Sequence, residues 1–143
     1  MQLVAAATWL QGLVVKKEVA LGDVAWRFVG GAFSDRDSFE SSLRQYQERF
    51  GEATGFEPGE LAILAPAIRV QYMCWDGEEQ TYPIVMLAAK NGMAFSVGEL
   101  LFQLHNAVVE KLENIDHHYF EGLVLVSSQP GNQPPLYTLC QGS

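Results

Sequence analysis

The stretch that decides the fold class is residues 67–89, which read AIRVQYMCWDGEEQTYPIVMLAA. Apolar and polar side chains alternate over residues 67–75, a period of two that is typical of a strand with one buried face. The apolar face carries Ile68, Val70, Tyr72 and Cys74. The opposite face carries Arg69, Gln71, Met73 and Trp75. Asp76-Gly77 follows at once and is a strong signal for a tight turn between antiparallel strands.

The chain returns after this turn as a second strand over residues 80–89. Tyr82, Ile84 and Met86 share one face of that strand. Pro83 has no N–H to give to a neighbouring strand, so we expect this strand to lie at an edge of its sheet. Asn91-Gly92 marks the next turn.

Two helices flank the hairpin in sequence. The first is predicted over residues 35–50, with Ser34 as its N-cap and Gly51 as its end. Its apolar stripe is Phe39, Leu43, Tyr46 and Phe50. The second is predicted over residues 97–113, because Ser96 and Glu99 form a capping-box pattern. Its apolar face is Val97, Leu100, Leu101, Leu104, Val108 and Leu112.

The remaining segments predict three further strands, at residues 19–29, 119–126 and 136–141, with a loop at 127–135. A short helical turn is expected near Pro58. Residues 3–15 are compatible with either a strand or a helix. A Gly-acid-aliphatic pattern recurs at Gly22, Gly59 and Gly98, and we attribute it to chance because different elements follow each copy.

The element order is therefore approximately β-β-α-β-β-α-β-β, which predicts an α+β fold. We expect an antiparallel sheet of about five to six strands with two main helices. The 143 residues fit one globular domain spanning the whole chain.

The charge balance narrows the class of partner. Acidic residues outnumber basic ones by 17 to 9, for a net charge of −8. This argues against nucleic acid and against an anionic membrane surface, since both attract Lys and Arg. The apolar start, residues 1–15, lacks the leading basic residues of a secretion signal. We therefore expect a soluble, cytoplasmic protein with Cys74 and Cys140 reduced.

All three histidines lie within residues 105–118, and they provide the candidate catalytic cluster His105, Asp116 and His118. A histidine oriented by a carboxylate can act as a general base. The alternative is structural, because histidine is also favoured near helix ends, where it complements the dipole. The spacing matches no zinc motif, so neither a metal nor a cofactor is expected.

A second set of residues combines aromatic and acidic side chains, which can together bind a cation or a basic protein surface. The candidate binding residues are Trp75, Asp76, Glu78, Glu79, Phe102, Tyr119 and Glu121. Phe102 belongs here because it falls on the polar side of its helix. The alternative is that both sheet faces are covered and that these aromatic side chains belong to the core.

Three functions remain open at this point. The first is a binding protein without catalytic activity that takes a basic or apolar protein partner through residues 52–121. That region contains eleven acidic and three basic residues, which account for the whole charge imbalance. The second is a domain that binds a small cationic ligand in a pocket between sheet and helix. The third is a small hydrolase or isomerase that uses the His/Asp cluster. Residues 122–143 carry no charge, which fits a buried terminal strand or a surface shared in a homodimer.

Overall fold

A computed structural model describes residues 19–51, 56–127 and 133–143. The prediction for residues 3–15 lies outside these ranges. The elements in chain order are β1 (Val19–Ala20), β2 (Trp26–Arg27), α1 (Arg36–Phe50), β3 (Leu61–Ile63), β4 (Ala67–Gln71), β5 (Cys74–Asp76), β6 (Glu79–Thr81), β7 (Ile84–Ala88), β8 (Phe95–Ser96), α2 (Val97–Leu112), β9 (Tyr119–Ser127) and β10 (Leu136–Gly142).

Over the described ranges, the main sheet has six strands in the order β1-β9-β10-β4-β7, with β2 also paired to β9. All pairs are antiparallel except β4 with β10, which run parallel. The α+β prediction is confirmed, and the sheet is mixed rather than wholly antiparallel. Two small two-stranded sheets, β3 with β8 and β5 with β6, complete the strand pairing.

The predicted hairpin extends from β4 to β7 in one continuous register. Ala67 pairs with Ala88 and Gln71 with Ile84, and the same register continues to Asp76 opposite Glu79. The turn at its tip is made by Gly77 at φ +67°, a conformation that glycine adopts without strain. Within the described residues β7 ends the strand order, so the predicted edge position is confirmed. The reason differs from the one given, because the side of Pro83 that lacks an N–H faces β4.

The core lies between one face of this sheet and the two helices. Alternation along the hairpin places Ile68, Val70, Tyr72 and Cys74 inside, as predicted. The six predicted apolar positions of α2 are all buried as well. Among the described residues, the two helices cover one face of the sheet. The hairpin's other face includes the exposed side chains of Trp75, Tyr82, Ile84 and Met86.

The caps of the helices differ from the prediction in detail. Asp35, not Ser34, is the N-cap of α1, because its carboxylate accepts from the N–H of Ser38 at 2.7 Å. The α1 stripe also ends early, since Phe50 is exposed and Gln47 occupies a buried position instead. Gln47 is satisfied there by hydrogen bonds to both backbone groups of Ala25.

The capping box of α2 is only half formed. The Ser96 hydroxyl accepts from the N–H of Glu99 at 3.2 Å, as expected. The Glu99 carboxylate, however, accepts from the N–H of Lys90 at 2.7 Å and thereby ties the helix start to the chain that follows β7. This contact joins residues nine apart and does not belong to the local pattern.

The turn expected near Pro58 is present as a single hydrogen-bonded turn, in which the N–H of Glu60 donates to the carbonyl oxygen of Glu57 at 3.1 Å. Two other features differ from the prediction. Residues 19–29 form two short strands separated by a turn, rather than one strand. The pairing of β3 with β8 was missed, because a strand of two or three residues carries too little periodicity to recognise.

Gly98 permits the close approach of α1 and α2. A Cβ built on Gly98 would lie 2.9 Å from Cγ of Glu40 and still closer to its carboxyl group. That carboxylate is held in place by the Arg36 guanidinium at 2.6 Å. A side chain at position 98 would therefore displace the ion pair.

We expect Gly98→Ala to change the free energy of unfolding by less than about 1 kcal/mol, because displacement of the flexible Glu40 side chain from Arg36 offsets the gain in helix propensity. In a Glu40→Ala background the same change should stabilise by about 1 kcal/mol, since alanine is the better helix former and nothing of Glu40 is displaced. Urea unfolding of the four proteins in this cycle measures the difference. Gly59→Ala, which meets no atom within 4 Å, is the control. An equal effect of Gly98→Ala in both backgrounds would refute the contact.

Candidate functional site

His105 is fully buried at the centre of the core. Its Nδ1 accepts from the Trp26 indole N–H at 3.1 Å, and its Nε2 lies 2.8 Å from the carbonyl oxygen of Gly31. Because the indole can only donate, Nδ1 carries no proton, and Nε2–H donates to Gly31. The ring is therefore the neutral Nε2–H tautomer.

The surroundings of His105 explain its state of charge. Its ring packs against four aromatic rings at centroid distances of 5.2–6.0 Å: Trp26, Phe28, Phe33 and Phe39. Removal from water lowers its pKa below the ordinary value of 6.5, although the Gly31 carbonyl and Glu113 oppose the shift. Since both ring nitrogens are already hydrogen bonded, neither is available to a substrate.

The other members of the candidate catalytic cluster lie outside the core. Asp116 and His118 precede β9, and His118 Nδ1 is 2.5 Å from the carbonyl oxygen of Ile115. The ring of His118 stacks on Tyr119 at 4.7 Å. Nowhere in residues 19–51, 56–127 and 133–143 do three His, Cys, Asp or Glu side chains form a group that could hold a metal ion. The geometry thus gives no support to a His/Asp reaction centre.

The two thiols are also unsuited to nucleophilic chemistry. Cys74 and Cys140 are both free, and Cys74 is buried. Burial and the nearby Glu121 raise the pKa of the Cys140 thiol, which is opposite to the shift that activates a cysteine.

Phe102, a candidate binding residue, is partly covered by α1. Its ring lies 5.8 Å from that of Phe39, and it packs against the core cluster. Sequence spacing placed it on the polar side of α2, and the packing of α1 across that side explains its apolar character. It contributes to helix packing rather than to an open surface.

The remaining hairpin candidates form a surface of their own. Trp75, Tyr82, Ile84 and Met86 are 47–59% exposed, and alternation places them on the same face of the hairpin. Three exposed carboxylates lie at the tip: Asp76, Glu78 and Glu79. We call these seven residues the hairpin surface. Ile84 and Met86 were not recognised as site residues, although the unbroken apolar run from Ile84 to Leu87 implied apolar side chains on both faces of that strand.

The hairpin surface is anchored to the body of the protein. The Gln141 side chain on β10 accepts from the N–H of Met73 at 2.7 Å and donates to its carbonyl oxygen at 3.0 Å. Gln141 also donates to the carbonyl oxygen of His117. These contacts fix the hairpin where it passes beyond the end of the main sheet.

The last two candidates, Tyr119 and Glu121, lie on β9, a different part of the sheet. Glu121 lines a cleft of about 330 Å³ together with Asp23 and Phe50. A neighbouring cleft is bounded by Tyr119, Glu121 and Ser143. The candidate binding residues therefore divide into two places, the hairpin surface and this acidic cleft.

No protein-family model matches the chain, and neither a curated protein nor a solved structure gives a significant match. Within the part of the chain that the structure describes, no helix is both long enough and apolar enough to cross a membrane.

Acid should destabilise the protein through His105. Below pH 6.5 the unfolded chain takes up a proton at this residue, whereas the folded protein does so only below its lowered pKa. The contribution of His105 to the free energy of unfolding is fully present above pH 6.5. As the pH falls below 6.5, this contribution decreases by up to about 1.4 kcal/mol per pH unit until the pKa of His105 in the folded protein is reached. Urea unfolding at several pH values between 7.5 and 5 measures this decrease.

In that experiment, His105→Gln should be less stable than the wild type at pH 7.5. Its free energy of unfolding should also change less with pH than that of the wild type. Met93→Ser, a change at a side chain that is 66% exposed and does not titrate, is the control and should keep the slope of the wild type. Equal slopes in His105→Gln and wild type would contradict the assignment.

Proposed function

We propose that this protein is a non-catalytic binding protein that takes a basic or apolar segment of a partner protein on its hairpin surface. The observation that carries this proposal is the outward alignment of four large apolar side chains, each about half exposed, on a hairpin whose tip carries three exposed carboxylates. Exposed apolar side chains gathered in one patch are characteristic of interaction sites, whereas isolated ones are not informative.

The residue types support this assignment. Tryptophan, tyrosine and methionine are enriched at protein interfaces, where they supply much of the binding energy. Trp75 and Tyr82 extend from a hairpin that is anchored below them, so little conformational entropy is lost when a partner binds.

The charge of the surface indicates the chemistry of the partner. The carboxylates of Asp76, Glu78 and Glu79 project at the tip of the hairpin, in a chain whose net charge is −8. A negative field of this kind speeds the approach of a basic segment and repels an acidic one.

A phage-displayed library of random peptides, selected on the immobilised protein, tests the proposal. We expect enrichment of peptides that combine Lys or Arg with apolar residues. The double variant Trp75→Ser, Met86→Ser should bind the enriched peptides at least tenfold more weakly, because it removes two anchor side chains.

Met93→Ser is the matched control, since Met93 is 66% exposed and lies outside the hairpin. It should bind the peptides as the wild type does. Failure to enrich any peptide, or equal binding by the double variant and the wild type, would refute this function.

A second candidate function is the binding of a small organic cation in the acidic cleft. Two carboxylates, Asp23 and Glu121, line this cleft with the exposed ring of Phe50. The Arg49 guanidinium already lies over the Phe50 ring, 5.5 Å from its centroid, so the attraction for an ammonium group comes from the two carboxylates.

Thermal unfolding with spermidine or choline tests the cleft. A ligand that binds only the folded state raises its melting temperature, and Glu121→Gln should reduce that rise. Glu110→Gln changes an exposed carboxylate on α2 and serves as the control. An equal rise in all three proteins would show general charge screening and no site.

A further inference from the structure

We infer, on the basis of the proposed function, that the partner binds as an extended strand that pairs antiparallel with the outer edge of β7. The inference begins with the register of the hairpin. The N–H of Ala89 donates to Pro66 and that of Tyr72 donates to Pro83. Since hydrogen-bonded pairs alternate with unbonded ones in an antiparallel ladder, Val85 and Leu87 direct their backbone groups toward β4. Ile84 and Met86 therefore direct theirs away from the sheet.

With respect to the described residues, the outer edge is open at Ile84 and Met86. In the described part of the chain, the N–H and C=O groups of Ile84 and Met86 have no backbone partner on that side. Pro83 does not protect this edge, because its missing N–H faces β4. The open edge ends at Ala88, whose carbonyl oxygen accepts from the Gln103 side chain at 2.9 Å.

Edge strands are usually protected by lysine, by proline or by a bulge. Residues 79–88 contain no lysine or arginine, and their register is unbroken. The side chains of Ile84 and Met86 stand on the open face beside the free backbone groups. A strand added here would gain main-chain hydrogen bonds and apolar contacts together.

The charges along the edge specify the partner's chemistry and direction. The acidic tip lies at the Ile84 end of β7, and Lys90 follows the other end. Helix α2 runs antiparallel to β7, because Glu99 bonds Lys90 and Gln103 bonds Ala88. Glu110 lies about 10 Å farther along α2 than Gln103, in the direction of the acidic tip.

An antiparallel partner strand would therefore carry two apolar side chains at alternate positions, followed on their C-terminal side by lysine or arginine. A second copy of the chain is less suitable. Pairing of two β7 strands about Met86 needs the Ala88 carbonyl that Gln103 holds, and pairing in any register brings together two chains of net charge −8.

Met86→Pro and Met86→Ala distinguish strand addition from contact with side chains alone. Both remove the methionine side chain, but only proline removes the outward N–H, and the ladder to β4 is not involved. With peptides from the display selection, we expect Met86→Pro to bind at least tenfold more weakly than Met86→Ala. Thermal unfolding checks that both variants remain folded.

A second measurement does not depend on any variant's folding. Single N-methylation along an enriched peptide should weaken binding to the wild type at alternate positions only, since only alternate N–H groups face β7. In the bound peptide, the basic residue should lie C-terminal to the apolar positions.

The outcomes separate the two proposals. Peptides that depend on Trp75 and Met86, but bind both Met86 variants equally and show no period of two, would overturn strand addition and leave the proposed function standing. The absence of enriched peptides would overturn both. A dimer of the wild type in sedimentation that Met86→Pro converts to a monomer would show that the edge takes a second copy, and would overturn the choice of partner.

Discussion

The unbroken register of the hairpin from Ala67 to Ala88 is the constraint on which the rest of the molecule depends. Side chains on a strand alternate between faces, so burial of Ile68, Val70, Tyr72 and Cys74 leaves no freedom for the side chains between them. The same register that builds the core turns Trp75 outward. A shift of the strand pairing by one residue would exchange the buried and the exposed side chains of the hairpin. Both the core and the hairpin surface would be lost, so the candidate site forms only when the hairpin folds in this register.

The core is completed by a polar contact at its centre. The Trp26 indole donates to His105 and His105 donates to Gly31, so that the imidazole joins β2, the chain after it and α2. A buried polar side chain is tolerated when each polar atom has a partner, and here both ring nitrogens do. This arrangement explains why the most conspicuous titratable residue in the sequence is structural: the neutral ring fills an aromatic cluster and has no free nitrogen for chemistry.

Local patterns predicted the hairpin and the apolar face of α2, because each depends on spacing within one segment. The features that were missed depend on distant partners. The Trp26–His105 bond joins residues 79 apart, the β4–β10 pair is parallel, and Glu99 turns from its helix start to Lys90. The same distinction between local and distant signals explains why only part of the candidate site was predicted. Trp75 and the tip acids stood out locally, whereas the openness of Ile84 and Met86 follows only from the strand order.

An open apolar edge is a liability, since it can pair with any exposed strand, including that of another copy. Here the acidic residues that gather near one end of the edge also limit this risk. Two chains of net charge −8 repel each other on approach, whereas a basic segment is attracted to the same field. One charge distribution thus disfavours self-pairing and favours the partner class proposed for this surface. On this view, three of the eleven acidic residues within residues 52–121, Asp76, Glu78 and Glu79, serve recognition and are more than a general aid to solubility.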